Sequence, residues 1–249
     1  MIITLTTDIG WEYAAEMKGE IFSINPEAKI VDITHNVMPQ NIMQGAFIMY
    51  STAPHFKNAI HIGVVDPGVG TPRKAIIVEC NHSYFIGPDN GLLIPAAKKI
   101  GIKRIYEIEK KRDVSEVFHG RDIFAPIAAH LSLGRKAKEF GEEIGEFVNL
   151  EFEEAIKIGN TIKGKILFID KFGNIITNIE QSLIEKEEFC VKIGEVEEKV
   201  HLRPSYGYVK RGEIVAVISS CDFLEIAKRE GDASRHFNAR EGGTIEIFL

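Results

Sequence analysis

Three aspartates follow predicted strands, at points where a carboxylate can take part in chemistry. They are Asp8 after residues 2–7, Asp32 after residues 29–31 and Asp66 after residues 59–65. In open α/β sheets, ligands bind outside the carboxyl ends of the strands. A carboxylate at that edge can accept hydrogen bonds from a ribose diol or position a water molecule. The alternative is that each aspartate caps a helix or shapes a turn, and for Asp32 we favour that structural interpretation.

A segment rich in glycine and proline separates Asp66 from a candidate partner, Arg73. Residues 67–73 have the sequence PGVGTPR, and its two glycines and two prolines predict an irregular turn whose backbone approaches another group closely. The turn delivers a guanidinium seven residues after the carboxylate; an ion pair without further function is the alternative. His119 stands just before a predicted helix, where it either faces a site near the helix amino terminus or is an ordinary surface histidine.

The elements that must position these residues alternate between strands and helices in the first half of the chain. Such alternation predicts an α/β layered domain with a mostly parallel sheet. Predicted strands cover residues 2–6, 29–31, 59–65 and 104–107, and predicted helices cover residues 12–24, 40–51, 92–99 and 122–133. Residues 75–79 and 84–86 predict a hairpin at one edge of the sheet.

The second half contains short β-rich segments without long helices between them. They cover residues 165–169, 189–193, 198–202, 214–218 and 244–248. This pattern predicts a smaller antiparallel, barrel-like β domain. The segment of residues 134–160 is acidic, contains glycines at positions 141, 145 and 159 besides the Gly134 that opens it, and has no sustained period, so it predicts a linker. We therefore expect two domains, residues 1–150 and residues 151–249.

Composition limits the class of partner. The chain has 249 residues, of which 45% are hydrophobic and 27% charged, and this is typical of a globular protein. Its net charge of −6 argues against a nucleic-acid partner, because such binders need a basic face. No apolar run is long enough to span a membrane. Three widely spaced cysteines and the lack of a basic, apolar leader predict a cytoplasmic protein.

Several common site motifs are absent or incomplete. Residues 159–165 match a phosphate-binding loop except that Ile166 replaces the required Ser or Thr and a strand is predicted to follow. The pair Gly68 and Gly70 lacks the third glycine of a dinucleotide fingerprint. The eight histidines form no pair at metal-ligand spacing, so we expect no metal site.

Eight short motifs occur together along the chain. They are TDIG (7–10), MKG (17–19), VDITH (31–35), VDPGVGT (65–71), PDNG (88–91), HGRDIFAP (119–126), DKFGN (170–174) and LEIA (224–227). In this order they resemble the S-adenosylmethionine hydroxide adenosyltransferase family, which is related to the fluorinase and chlorinase enzymes. The resemblance spans nearly the whole chain.

The resemblance implies hydrolysis of S-adenosylmethionine to adenosine and L-methionine by attack of water or hydroxide on the ribose 5′ carbon. It also implies functional residues, which are matched position by position. The implied catalytic set is Asp66, Arg73 and His119, with Asp66 also touching the substrate, and the implied substrate contacts are Asp8 (ribose), Asn174 (adenine), Phe172 and Tyr206 (adenine packing), Asp170 (methionine amino group), and Ser220, Glu225 and Lys228 (further contacts). Cys221 and Asp222 stand where relatives usually carry Ser and Gly.

The chemistry implied by the resemblance needs no metal or redox cofactor, because the sulfonium leaves as a neutral thioether. An anionic or partly deprotonated nucleophile would cancel charge in the transition state, which favours a pocket poor in water. Asp66 can accept the proton of the attacking water, and His119 can relay it or fix the water. An adjacent Arg73 stabilises the charge of Asp66, so the identity of the base stays open.

The family architecture implies a homotrimer whose site lies at the subunit interface, between the amino-terminal domain of one subunit and the carboxyl-terminal domain of the next. Two alternative functions remain at this point. A halide-using adenosyltransferase would form 5′-halo-5′-deoxyadenosine, and a non-catalytic sensor would bind adenosine or S-adenosylmethionine without turnover. The charged set of Asp66, Arg73 and His119 argues for water over halide, because a halide needs no base.

Overall fold

The chain divides into two units, Met1–Glu151 and Phe152–Leu249. The computed structural model describes residues 1–109 and 115–249. The strands of the first unit are β1 (Ile2–Thr7), β2 (Lys29–Thr34), β3 (Ala59–Val64), β4 (Ala75–Cys80), β5 (Tyr84–Pro88), β6 (Ile102–Ile108) and β7 (Gly141–Glu143). Its helices are α1 (Gly10–Ile24), α2 (Ile42–Thr52), α3 (Ile94–Ile100) and α4 (Ala125–Ser132), the last preceded by a π-helical turn at Gly120–Phe124.

The described strands of this unit form a mixed sheet in the order β2-β1-β3-β5-β4-β6-β7. The pairs β1–β2, β1–β3 and β3–β5 are parallel, and the pairs β4–β5, β4–β6 and β6–β7 are antiparallel. The central strand β3 is buried along its whole length, as expected for a strand covered on both faces. The predicted α/β class is thereby confirmed.

Helices cover both faces of the sheet. On one face, Ile3 and Leu5 pack in a common core with Met17 and Ile21 of α1 and with residues of α4. On the other face, α2 and α3 pack together. A Cβ atom on Gly63 would lie 2.8 Å from the sulfur of Met49 in α2, so this glycine permits the close approach of that helix.

The predicted position of the hairpin is wrong. Strands β4 and β5 do pair as a hairpin, but they lie inside the sheet between β3 and β6. The edges of the described sheet are β2 and β7. The reason is that β6 pairs with β4 and β7 then pairs with β6, so two later strands cover an edge that the local sequence leaves open.

The second unit is a nearly closed antiparallel barrel. Its described strands are β8 (Ile156–Ile158), β9 (Thr161–Ile169), β10 (Ile175–Glu180), β11 (Glu188–Ile193), β12 (Val196–His201), β13 (Ile214–Ile218), β14 (Phe223–Lys228) and β15 (Thr244–Phe248), and a short helix, α5, covers Ala233–Phe237. The order is β12-β11-β15-β9-β10-β14-β13, with β8 beside β9. A bridge between Leu202 and Ala216 brings the two ends of this order together. The predicted barrel-like β architecture is confirmed.

The segment predicted as a linker, residues 134–160, carries short elements. It contains β7 and β8, and the boundary between the two units falls within it, between Glu151 and Phe152. Strands β10 and β14 were not predicted, because IITNIE and FLEIAK show neither a pure apolar run nor a clean alternation. Over the described ranges, no helix combines the length and apolar character needed to cross a bilayer.

His61 is a buried titratable group in the middle of the first sheet. Its Nδ1 lies 2.8 Å from Thr4 Oγ1, and its ring stacks on Phe85 at a centroid distance of 4.6 Å. Its Nε2 has no hydrogen-bond partner among the described residues. Burial lowers the pKa of His61 to about 4, because the charged imidazolium would lose its hydration.

We predict that His61 makes the protein less stable as the pH falls. The unfolded chain takes up this proton near pH 6.5 and the folded chain only near pH 4, so the free energy of unfolding falls by about 3 kcal/mol between these values. His61→Asn removes the titration while keeping a polar atom near Thr4. Urea unfolding at pH 7 and pH 4.5 should show a smaller loss for this variant than for the wild type.

The exposed His82 supplies the matched control for this prediction. His82→Asn should lose as much stability on acidification as the wild type. An equal loss in His61→Asn and the wild type would contradict the burial argument.

Candidate active site

The carboxyl ends of two adjacent parallel strands bring Asp8 and Asp66 to the same edge of the first sheet. Thr7 at the end of β1 pairs with Val64 at the end of β3. The backbone N–H of Asp8 donates to the carbonyl of Val64 at 3.1 Å. The side-chain amide of Asn90, in the PDNG motif, donates to the Val65 carbonyl at 2.8 Å, which ties down the chain just before Asp66.

The guanidinium of Arg73 joins Asp66 to His119. Its Nε donates to Asp66 Oδ1 at 2.9 Å, and its Nη2 donates to Asp66 Oδ2 and lies 3.0 Å from His119 Nδ1. Its Nη1 donates to the backbone carbonyl of Lys74 at 2.7 Å. The side chains of Arg73 and Asp66 are only 11% and 6% exposed. This two-pronged geometry fixes the carboxylate plane, which a lysine could not do.

The loop of residues 67–72 folds back so that Arg73 meets Asp66. Val69 N–H donates to the Asp66 carbonyl and Thr71 N–H to the Gly68 carbonyl, which makes two successive turns. Gly70 has a φ of +76°, and a Cβ atom there would lie 2.6 Å from the carbonyl oxygen of Glu116. Glycine is therefore required both for the backbone conformation and for the close approach to the segment before His119.

His119 is buried, with an exposed fraction of 2%, and immediately precedes the π-helical turn Gly120–Phe124. Such turns are frequent at functional sites. An arginine can only donate hydrogen bonds, so Nδ1 of His119 must be the acceptor of the contact with Arg73. The neutral ring then carries its proton on Nε2, which makes that nitrogen a donor.

A second charged network, which the sequence interpretation did not assign, holds the segment around His119. Arg121 donates to Asp122 Oδ1 from Nε at 2.6 Å and to Glu16 Oε2 from Nη1 at 2.8 Å. Asp122 Oδ2 accepts the backbone N–H of Ser115 at 3.1 Å. Hydrogen bonds from Arg121, above all, lower the pKa of Asp122. The adjacent Arg121 and Asp122 in the HGRDIFAP motif are the sequence feature from which this network could have been predicted.

The predicted position and role of Asp32 are wrong in detail: β2 continues to Thr34, so Asp32 lies inside the strand, and its role is structural through side-chain contacts and not through a helix cap or a turn. Its carboxylate accepts from Lys18 Nζ at 2.7 Å and lies 3.0 Å from His35 Nε2. Partial burial opposes ionisation, but the contacts with Lys18 and His35 outweigh it and lower the pKa of Asp32. His35 in turn contacts Thr7 Oγ1 through Nδ1 at 2.9 Å, so the network buttresses the end of β1 next to Asp8.

In the second unit, Asp170 shapes the turn between β9 and β10. Its Oδ1 accepts the backbone N–H groups of Phe172 (2.8 Å) and Asn174 (2.9 Å), and its Oδ2 accepts the Asn174 side-chain amide at 3.0 Å. Gly173 has a φ of +81°, which this tight turn requires. Phe172, 63% exposed, stands at the turn with its ring open to solvent.

Tyr206 and Glu225 form a second pair close to that turn. The Tyr206 hydroxyl donates to Glu225 Oε1 at 2.7 Å. Burial, and to a lesser extent the negative charge of Asp170, raises the pKa of Glu225. Burial and the same two carboxylates also raise the pKa of Tyr206. Four of the predicted substrate contacts, Asp170, Asn174, Tyr206 and Glu225, are thus grouped by direct bonds or by mutual charge effects.

The structure does not bring Ser220 and Lys228 to this group. Ser220 is exposed in the turn between β13 and β14, near the end of β14 that pairs with Glu180. Lys228 lies three residues beyond Glu225 on β14, so the two side chains point to opposite faces of the strand. Its Nζ lies 3.4 Å from His236 Nδ1. Matching a residue to a family position does not consider that side chains alternate between the two faces of a strand.

Each unit therefore presents its own set of polar groups. The first unit offers a carboxylate, a guanidinium and an imidazole that are suited to orient and deprotonate a water molecule. The second offers carboxylates, an amide and exposed aromatic rings, which suit a cationic group and a planar base. Within the described residues, no three His, Cys, Asp or Glu side chains are grouped to hold a metal ion.

Comparison with family models decides the family. Residues 3–141 match the SAM hydroxide adenosyltransferase N-terminal domain, and residues 164–246 match the C-terminal domain of the same family. The chain belongs to the SAM hydroxide adenosyltransferase family.

Relatives in this family share the whole length of the chain. A protein named (R)-S-adenosyl-L-methionine hydrolase from Methanocaldococcus jannaschii is 37% identical, over 99% of this chain and 95% of its own. A protein of the same name from Thermus thermophilus is 31% identical, over 97% of each chain. A fluorinase from Nocardia brasiliensis is 24% identical, over 99% of this chain and 96% of its own. The crystal structure of an uncharacterised conserved protein from Thermotoga maritima matches all of both chains with a TM-score of 0.94 at 37% identity.

We predict that Glu225→Gln stabilises the protein at neutral pH. The raised pKa means that Glu225 ionises more readily in the unfolded chain, so the wild type loses stability as the pH rises from the ordinary glutamate range through the folded-state pKa. Gln keeps an oxygen that accepts from Tyr206 and carries no charge. Denaturant unfolding at pH 7 should show a gain on the order of 1 kcal/mol, which fades at pH 4.

Glu195 is an exposed glutamate in the turn between β11 and β12, and Glu195→Gln serves as the control. It should leave stability unchanged at both pH values. A Glu225→Gln variant that is no more stable than the wild type at pH 7 would contradict the prediction.

Proposed function

We propose that this chain hydrolyses S-adenosylmethionine to adenosine and L-methionine, with water attacking the ribose 5′ carbon. The observation that carries the proposal is the buried contact of Arg73 with both Asp66 and His119. This cluster can orient an attacking water molecule and accept its proton, whereas an attacking halide has no proton to lose. Full-length relatives named (R)-S-adenosyl-L-methionine hydrolase support the substrate.

The bond changes set the demands on the site. The C5′–S bond breaks and its electron pair stays on sulfur, which leaves as the neutral thioether of methionine. A C5′–O bond forms, and the attacking oxygen becomes strongly acidic as it does so. A weak base that is correctly placed is therefore sufficient, and no metal or redox cofactor is needed. Asp66 takes this proton and passes it to solvent.

The tautomer of His119 supports this choice of base. Because Nδ1 accepts from Arg73, the proton on Nε2 makes His119 a donor that orients the oxygen of the attacking water. Arg73 holds both partners in place and keeps the carboxylate of Asp66 oriented. Asp8, at the same sheet edge, grips the ribose hydroxyls and aligns the 5′ carbon, since such positioning is worth about 7–11 kcal/mol in favourable cases.

The second unit supplies the remaining contacts of the proposal. Asn174 pairs with the adenine edge while Phe172 and Tyr206 pack against its ring, and the carboxylates of Asp170 and Glu225 attract the cationic methionine end. The turn geometry of residues 170–174 and the Tyr206–Glu225 bond support this grouping. Ser220 and Lys228 stay predictions that the geometry of the described residues does not support further.

The assembly proposed is a homotrimer in which residues of the two sets come from neighbouring subunits. Its support is that each unit carries a distinct part of the chemistry, together with exposed aromatic side chains such as Trp11, Tyr13 and Tyr208. Light scattering of the purified protein gives the mass directly. A monomer that turns over the substrate would contradict this part of the proposal.

We predict that Asp66→Asn lowers turnover far more than the loss of the buried ion pair lowers the folded fraction, which circular dichroism measures alongside the assay. Asp66→Asn removes the proton acceptor and should lower kcat by about 10²–10⁴-fold. The measurement is chromatographic quantification of adenosine and methionine from S-adenosylmethionine. The matched control is Glu195→Gln, in the exposed turn between β11 and β12, which should keep full activity. An Asp66→Asn variant with wild-type kcat would exclude Asp66 as the base.

Chloride distinguishes water from halide as the nucleophile. The same incubation with and without chloride should give adenosine in both cases at equal rates. Formation of 5′-chloro-5′-deoxyadenosine would favour a halide-using enzyme, and saturable binding of intact substrate without turnover would favour a sensor.

The proposed epimer preference follows the names of the relatives, which specify the (R) form. We predict that a mixture of the two sulfonium epimers is depleted of the (R) form first, because the epimers exchange the positions of the S-methyl group and the methionine chain, and only one arrangement brings the methionine end to its contacts. Chiral chromatography of the residual substrate measures this. Equal consumption of both epimers would contradict it.

A further inference from the structure

A tight turn beside Asp8 holds a residue in an unfavourable backbone conformation. Met38, Pro39, Gln40 and Asn41 form the turn, which is closed by a hydrogen bond from Asn41 N–H to the Met38 carbonyl at 2.9 Å. Gln40 has a φ of +66°. A proline in the second position and a positive φ in the third define a type II turn.

Glutamine is an unusual choice at this position. The third residue of a type II turn is normally glycine or asparagine, because other side chains clash with the backbone at positive φ. The other non-glycine residues with positive φ in the described chain are Asn58, Asp222, Glu230 and Asn238. Backbone strain of this kind persists only where the surrounding structure holds it.

The surroundings of the turn do hold it. Asn41 caps α2 by accepting the Gln44 N–H on Oδ1 at 3.0 Å. Gln44 Oε1 accepts the Met38 N–H at 2.6 Å, so the first residue of the turn is tied to the first turn of the helix. The ends of the turn are therefore fixed. Within the turn, the peptide unit between Pro39 and Gln40 can still adopt either of two opposite orientations.

That peptide unit decides whether Asp8 receives a hydrogen bond from the N–H of Gln40. Type I and type II turns differ by a reversal of the middle peptide, which points the N–H of the third residue in opposite directions. In the type II form, the N–H of Gln40 donates to Asp8 Oδ2 at 2.8 Å. A turn of type I would aim this N–H away from the carboxylate.

We infer that Gln40 is a positioning residue for ribose recognition: its left-handed backbone fixes Oδ2 of Asp8 and so sets the orientation in which Asp8 meets the ribose hydroxyls. The inference rests on the ribose role of Asp8 in the proposed function. It concerns the backbone of Gln40, whose side chain is exposed. Glycine at this position should therefore preserve the function, and a β-branched residue should not.

The test compares two ligands that differ only in the ribose hydroxyls. Dissociation constants for adenosine and 2′,3′-dideoxyadenosine are measured calorimetrically on the full-length protein, for the wild type, Gln40→Gly, Gln40→Val and Asp8→Ala. We expect Gln40→Val to weaken adenosine by about tenfold, which corresponds to about 1.4 kcal/mol, and dideoxyadenosine by less than about twofold. Gln40→Gly should bind both as the wild type does.

Two further variants keep the test decisive. Asn58→Val places the same change at another left-handed residue, outside this turn, and should leave both constants unchanged. Gln40→Ala, which disfavours positive φ less than valine does, should weaken adenosine to an intermediate degree and replaces Gln40→Val if that variant does not fold.

The outcomes separate this inference from the proposed function. If Gln40→Val weakens both ligands equally, or neither, while Asp8→Ala removes the preference for adenosine, the positioning role of Gln40 is overturned and the ribose role of Asp8 stands. If the wild type itself shows no preference for adenosine, the ribose role of Asp8 is overturned, and the inference falls with it.

Discussion

The buried contact of Arg73 with Asp66 and His119 is the interaction on which the amino-terminal site depends. Burying a carboxylate and a guanidinium costs hydration, and this is offset only when geometry is good and each remaining group has a partner. The four contacts of the guanidinium meet that condition. Removing one partner of such a buried pair typically costs about 3–5 kcal/mol in other proteins. This is a large part of the free energy of unfolding of a typical domain. The local fold is therefore constrained to keep this cluster intact.

The neighbouring backbone is explained by that constraint. Two glycines and two prolines turn the chain so that Arg73 returns to Asp66, and Gly70 lets this loop lie against Glu116. The Arg121–Asp122 pair anchors the segment that leads into His119. Parallel pairing of β1 and β3 then places Asp8 at the same edge. The charged residues, the loop composition and the strand register all favour the same placement of Asp8, Asp66, Arg73 and His119. Such agreement between local and global features is expected of a sequence that specifies one structure.

The sequence predicted site residues best where a local signal, such as the end of a strand or a loop rich in glycine and proline, determines where the side chain lies. Strand ends locate Asp8 and Asp66, and the glycine–proline loop points to Arg73. The position of the hairpin in the sheet was missed because strand order depends on pairing with β6, a contact distant in sequence. Lys228 was included on the resemblance alone; a three-residue step from Glu225 along β14 places its side chain on the other face of the strand, and its substrate contact stays a prediction. The role of the Gln40 backbone was missed because no local sequence pattern predicts a positive φ at a glutamine.

The central claim is that water attacks the 5′ carbon, and isotope labelling tests it most directly. S-adenosylmethionine is incubated with the protein in water enriched in ¹⁸O, and the adenosine formed is examined by mass spectrometry. If water attacks the 5′ carbon, the 5′ hydroxyl of adenosine carries one ¹⁸O atom and methionine carries none. Adenosine without the label, or a product that retains the sulfur on the 5′ carbon, would contradict it.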